Sequence, residues 1–210
     1  MDDTMAILLF RHGLTEENAK GKYIGWSDPA LSNEGIEQLS MLKDHLPPYD
    51  VICTSDLTRC RQTAEILFPA AIHIQLPSLR EIHFGEWENK TYSELQNNKE
   101  YRQWLSDMEI PIPGGESFQQ FRSRISNAWE EILSYAASTK VNRMAVITHG
   151  GVIRQLLTTL VPKTLQKNFW EWKVPHGLGY ELVWTDSDKM GGVTQCSLFR
   201  EAPLMEKKNG

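Results

Sequence analysis

Three short apolar runs, each ending abruptly in polar residues, constrain this chain more than any other feature. They are Leu8-Leu9-Phe10 before Arg11-His12-Gly13, Val51-Ile52-Cys53 before Thr54-Ser55-Asp56, and Ala145-Val146-Ile147 before Thr148-His149-Gly150-Gly151. A short apolar run without alternation is the pattern of a strand buried on both faces, as in a parallel sheet covered by helices on either side. In open α/β sheets the carboxyl ends of the strands border the crevice where ligands bind. Residues that directly follow such runs therefore share one rim.

The intervening segments agree with this reading. Ser32 offers an N-cap to a helix with Ile36, Leu39, Leu42 and Leu46 on one face, and Pro47-Pro48 stop it. Ser55 or Asp56 is expected to cap a second helix bearing Leu57, Ala64 and Leu67, before a third strand at Ile72 to Leu76. A long amphipathic helix is predicted through Phe118, Phe121, Ile125, Trp129, Ile132 and Leu133. The strand Met144 to Thr148 and a helix over Val152 to Val161 follow it. Leu178 to Trp184 and Val193 to Phe199 predict a closing pair of strands around the turn-rich Asp186–Gly192. This order predicts a three-layer α/β/α domain over residues 1–210 with a mostly parallel sheet. The polar and aromatic stretch 86–116 breaks the rhythm and reads as an insertion above the carboxyl edge, where a substrate lid would sit.

Composition narrows the partners. With 40% hydrophobic and 23% charged residues the chain is an ordinary globular one, and its net charge of −5 disfavours nucleic acid or an anionic membrane. A small anionic substrate remains compatible, because clustered arginines dominate the field inside a cleft. No run is long enough to span a bilayer. Asp2 and Asp3 stand where a secretory signal would be basic, and Cys53, Cys60 and Cys196 fit neither a disulfide framework nor a zinc knuckle. The cytoplasm is the expected location, with neither metal nor cofactor.

The rim residues suit phosphoryl chemistry. Arg11 and Arg59 carry planar forks that match phosphate oxygens, and Arg59 lies in the first turn of its helix. Gly150-Gly151, before another helix, lets backbone approach a ligand, and Thr15 and Asn18 add neutral polar groups after His12. A neutral imidazole attacks phosphorus when its other nitrogen donates to a carbonyl. Two arginines and a second histidine, His149, can neutralise the equatorial oxygens. The proton donor is sought among Glu81, Glu86 and Glu88, since a carboxyl beside a bound dianion favours its protonated form. Glu81 lies nearest the strand end and is preferred, with Glu86 as its substitute. Trp26 and Glu86 are further candidates on the substrate side, whereas His83 and His176 read as structural or rim residues. Trp87, Tyr92, Tyr101, Trp104, Phe169, Trp170 and Trp172 read first as packing and second as a surface for a substrate ring.

Four segments taken together resemble one family. Arg11-His12-Gly13-x-Thr15-x-x-Asn18, Ser55-x-Leu57-x-Arg59-Cys60-x-x-Thr63-Ala64, Leu79-x-Glu81-x-x-Phe84-Gly85-x-Trp87-Glu88 and Thr148-His149-Gly150-Gly151 are similar to the motifs of the histidine phosphatase, or phosphoglycerate mutase-like, superfamily. The resemblance implies that His12 is the phosphorylated nucleophile, that Arg11, Arg59 and His149 hold the phosphoryl group, and that Glu81 is the proton donor. Asn18 matches a further phosphate-side position. His83 to Glu88 and Gly114 to Phe121 resemble the small bacterial phosphatases typified by α-ribazole phosphatase. The implied activity is metal-independent hydrolysis of a small phosphorylated metabolite through a phosphohistidine. The alternatives are a cofactor-dependent phosphoglycerate mutase, whose longer insertion before the second histidine this chain lacks, and a catalytically silent phosphate-binding module.

Overall fold

A computed structural model describes residues 4–185 and 195–202. In chain order the elements are β1 (Met5–Arg11), α1 (Glu16–Ala19), α2 (Asn33–Leu42), β2 (Val51–Thr54), α3 (Thr58–Leu67), β3 (Ile72–Gln75), α4 (Tyr92–Leu95) and α5 (Lys99–Ser106). They continue with α6 (Phe118–Thr139), β4 (Arg143–Thr148), α7 (Gly150–Leu160), β5 (Gly179–Trp184) and β6 (Leu198–Ala202). Among the described residues the strands form one sheet in the order β3-β2-β4-β1-β5-β6, parallel through β1 and antiparallel at β5 and β6.

Strand parity divides the core in two. Ile7, Leu9, Val51, Cys53, Met144 and Val146 face one side and pack with Ile125, Ile132, Ile153 and Leu157 of α6 and α7. Leu8, Phe10, Ile52, Ala145 and Ile147 face the other, against Leu39 of α2 and Ala64 and Leu67 of α3. Two covered faces make the three layers expected from the unalternating runs. The 86–116 segment is fixed to the first core by Trp87, Tyr101 and Trp104, all fully buried.

The β1–β4 register positions the site. Arg11 pairs with Thr148 at the last rung, so His12 and His149 emerge side by side, and the His12 N–H donates to the Thr148 carbonyl at 2.9 Å. On the other flank of β4 the Ser55 N–H donates to the Ile147 carbonyl at 3.0 Å, which brings the β2 rim to the same place.

Several local expectations are corrected. Ser32 caps α2 through Gly35 as read, but the helix passes into a 3-10 turn after Leu42, and Ile36 is exposed. Neither Ser55 nor Asp56 caps α3. Its first turn is capped from thirty residues away by Asp28, whose carboxylate accepts from the Thr58 N–H at 2.6 Å and the Thr58 hydroxyl at 2.8 Å. Asp56 instead pairs with Arg80 through two bonds of 2.8 and 2.5 Å. Helix α7 starts at Gly150, two residues early, and the last strand begins at Leu198. The predicted turn Asp186–Gly192 and the strand start at Val193 lie outside the described residues.

Candidate active site

His12 is held as a nucleophile must be. Its Nδ1 lies 2.7 Å from the Gly13 carbonyl oxygen, which can only accept, so Nδ1 carries the proton and Nε2 keeps its lone pair. The ring is almost wholly buried, edge-on to His149 at 5.1 Å and 5.3 Å from His176. Burial first, then Arg59, His149, Arg11 and His176, holds its pKa well below the ordinary histidine range. The imidazole is thus neutral at physiological pH.

Arg11 projects from the end of β1, with Nη1 anchored on the Val174 carbonyl at 2.6 Å. Burial pushes its guanidinium down to about 10; Glu81 opposes that shift, and Arg154 and Arg59 add to it. It remains a cation at neutral pH. Arg59 is fully buried and only partly available as a phosphate fork. Its Nη1 donates to the Ser27 carbonyl and its Nη2 to the Gly25 carbonyl, both at 2.8 Å, so it also shapes the 25–28 loop. The Nε groups of Arg11 and Arg59 are buried without a partner among the described residues. Such donors are costly in a dry site and are suited to an anion's oxygens.

His149 accepts at Nδ1 from Arg59 Nη2 at 3.2 Å. Arginine has no acceptor, so the His149 proton sits on Nε2, 3.0 Å from Ser55 Oγ and 3.5 Å from Cys60 Sγ. To donate to a phosphoryl oxygen, that N–H must turn from Ser55. Burial, then Arg59 and Arg11, keeps His149 well below its usual pKa.

Glu81 follows the β3 strand on an irregular loop. Oε1 accepts from the Ile82 N–H at 3.0 Å and Oε2 from the Gly151 N–H at 2.8 Å. The Gly151 amide, expected to face a ligand, therefore serves the carboxylate. Gly151 also makes room for it, because a Cβ there would lie 2.3 Å from Glu81 Oε1.

Beside Arg11 and Glu81 opens a solvent-connected cleft, with Asn18, Gly151 and Arg154 completing its polar end. Tyr23, Phe84, Trp104, Met108, Phe169 and Trp170 supply aromatic and apolar walls. Trp104 and Met108 come from the 86–116 segment.

The other sequence candidates separate. Asn18 lines the cleft with a buried, unpartnered Oδ1, and Gly150 backs onto the Arg11 and Arg154 guanidinium groups. Thr15 caps α1 by accepting from the Asn18 N–H. Glu86 is exposed and does not line the cleft, whereas Glu81 does. Trp26 also lies outside it, and its indole N–H donates to the Glu81 carbonyl at 2.9 Å. Glu88 binds the backbone N–H groups of Gly25, Trp26, Ser27 and Phe84. Burial opposes its ionisation, but these bonds and the Ser27 hydroxyl outweigh that and hold its pKa low.

Sequence reasoning underread two residues. His176 sits against His12 with Nε2 buried and unpartnered, and burial, with Arg11 and Arg59, takes its pKa down to about 3. The available signal was a third His-Gly pair, His176-Gly177, just before a strand. Arg154 lies one turn into α7, where helical spacing from Gly150 could have pointed to it.

The motif order, the paired histidines and this cleft agree with what known proteins show. The model of the histidine phosphatase superfamily, branch 1, matches residues 7–190. This chain belongs to that superfamily. An adenosylcobalamin/α-ribazole phosphatase of Salmonella typhimurium is 31% identical over 181 residues, covering 82% of this chain and 87% of that one. A 2,3-bisphosphoglycerate-dependent phosphoglycerate mutase of Bradyrhizobium is 29% identical over 167 residues, covering 73% and 80%. The crystal structure of the α-ribazole phosphatase from Shigella flexneri superposes with a TM-score of 0.77 at 27% identity, covering 87% of this chain and 92% of that one. The chain is a phosphatase-type hydrolase with the three-layer fold of that family. Among the described residues, no helix is long and apolar enough to cross a membrane.

Proposed function

We propose that this phosphatase hydrolyses a small phosphate monoester by two in-line displacements at His12. Nε2 of His12 forms a bond to phosphorus as the ester P–O bond breaks, and Glu81 gives its proton to the departing alkoxide oxygen. Glu81, now a carboxylate, takes a proton from water. The water oxygen bonds to phosphorus, the N–P bond breaks and inorganic phosphate leaves. Arg11, Arg59 and His149 hold the phosphoryl oxygens, and Asn18 lies beside them. The observation that carries this reading is the Nδ1–H bond of His12 to the Gly13 carbonyl, which leaves a lone pair on Nε2 among arginines.

α-Ribazole 5′-phosphate is the substrate we favour. The relatives named for it support this choice, and the aromatic-walled cleft suits a flat heterocyclic leaving group. The 86–116 segment would act as the lid, and the cytoplasm as the place of work. Phosphate release from α-ribazole 5′-phosphate in EDTA, beside nitrophenyl phosphate and 3-phosphoglycerate, tests the reading. A preference for the ribazole ester of about 100-fold, or about 2.7 kcal/mol of transition-state discrimination, supports it. Equal rates on all three make the chain a generalist. Release from none, with bisphosphoglycerate-dependent isomerisation of 3-phosphoglycerate, replaces it with the mutase.

A further inference from the structure

The loop that presents Glu81 has no strand ladder to satisfy its backbone, so its carbonyls need other partners. Side chains supply them at four consecutive positions. Arg124 Nη1 donates to the Ser78 and Arg80 carbonyls, both at 2.8 Å, and Thr148 Oγ1 donates to the Leu79 carbonyl at 2.8 Å. The Glu81 carbonyl accepts twice, from Trp26 Nε1 at 2.9 Å and from Arg124 Nη2 at 3.2 Å. Arg124 projects from the second turn of α6 and is itself fixed by Glu116. Nε donates to Oε1 at 2.8 Å and Nη2 to Oε2 at 2.7 Å. Glu116 closes the grip by accepting weakly from the His83 N–H at 3.4 Å and donating its own N–H to the His83 carbonyl at 3.0 Å.

A guanidinium has five N–H donors, and all five of Arg124 are spent here: three on the carbonyls of residues 78, 80 and 81, and two on Glu116. A lysine, with three donors and no planar fork, cannot span that set. Arg124, Glu116 and Trp26 line a shallow groove with His83, none of them in the substrate cleft. They grip the acid's backbone from behind while Gly151 meets its carboxylate from the front.

We propose that Arg124, locked by Glu116 and assisted by Trp26, is the positioning residue that sets where the Glu81 carboxyl meets the leaving oxygen. This rests on the reading of Glu81 as the proton donor. A pair that served only stability would lower the rate on every substrate alike. A clamp on the acid should matter only when the leaving group needs a proton.

The test compares Arg124→Lys, Glu116→Gln and Trp26→Phe on α-ribazole 5′-phosphate and on nitrophenyl phosphate, in the native and Glu81→Gln backgrounds. Arg122→Lys, on the same helix in an exposed pair with Glu109, is the control with native activity. Arg124→Lys is expected to lower kcat on the alkyl ester about 10- to 100-fold with KM nearly constant, and on nitrophenyl phosphate less than about threefold. Trp26→Phe should show a smaller loss of the same selectivity, and in the Glu81→Gln background the clamp variants should cost nothing further. Equal losses on both substrates, or losses that persist without Glu81, overturn the proposal. Should Arg124→Lys not fold, absence of leaving-group selectivity in both Trp26→Phe and Glu116→Gln overturns it equally. If the native protein releases no phosphate, or Glu81→Gln shows no selectivity itself, the catalytic reading fails and the proposal falls with it. If Glu81→Gln is selective and the clamp variants are not, the proposal alone fails.

Discussion

Gly151→Ala separates placing the acid from holding the fold. The added methyl carbon would lie 2.3 Å from Glu81 Oε1, 3.1 Å from Cδ and 3.3 Å from Oε2. The carboxylate must retreat by about 1 Å to reach ordinary contact, and it is the flexible end of a side chain, so the strain is cheap to relieve. Position 151 is in the first turn of α7, where alanine favours the helix over glycine by up to about 1 kcal/mol. Stability should therefore hold or rise slightly. A reacting group misplaced by about 1 Å costs on the order of 100-fold, or about 2.7 kcal/mol of barrier. The variant should lose that factor in kcat on α-ribazole 5′-phosphate and only a few-fold on nitrophenyl phosphate, whose leaving group departs without a proton. Steady-state rates on both esters and a thermal melt decide it. Native rates on the alkyl ester, or equal losses on both esters with a lowered Tm, would refute the placement of Glu81 as the acid.

His12→Ala should abolish turnover and leave no acid-labile phosphate on the protein after an alkaline quench; residual turnover near the native rate would exclude His12 as nucleophile. His12, His149 and His176 all have folded pKa values below the 6.5 or so of an unfolded histidine, so the unfolded chain binds more protons as pH falls. Their contribution to stability is complete above about pH 6.5 and drains away as pH drops toward the folded values. Urea unfolding at pH 7.5 and pH 5.5 should show this loss, and imidazole ¹⁵N shifts should report neutral His12 at pH 5.5; titration of His12 near pH 6.5 would contradict the buried, cation-ringed site. Trp170, exposed at the rim and stacked edge-on against Phe169 at 5.0 Å, should raise KM for the ribazole ester several-fold when replaced by alanine while leaving nitrophenyl phosphate nearly unaffected. Equal KM changes on both esters would argue that the ring only packs.

The strand ends were legible because a continuous apolar run has one good place, the middle of a covered sheet. Arg11-His12 and Thr148-His149 follow such runs, so their convergence is readable from the sequence alone. What was not readable is decided by contacts remote in sequence. Asp28 caps α3, Trp26 hydrogen-bonds the Glu81 backbone, and Gly151 gives its amide to Glu81; none of these pairings leaves a periodic trace. Proximity to the strand end favours Glu81 over Glu86 in the sequence, and a 3-10 turn at Gly85–Trp87 sends Glu86 to solvent. His176 carried a visible signal in its following glycine. Gly177 takes a positive φ of 69°, and its amide hydrogen-bonds back to the Arg11 carbonyl at 3.2 Å, which seats the third histidine on the first.

A covalent phosphohistidine requires two displacements at phosphorus, and the stereochemical course of hydrolysis counts them. An isotopically chiral phosphorothioate analogue of the ribazole ester, turned over in labelled water, reports the number of displacements at phosphorus. Retention of configuration, from two in-line steps through His12, is the predicted result. Inversion, from direct attack by water, would exclude a phosphorylated His12.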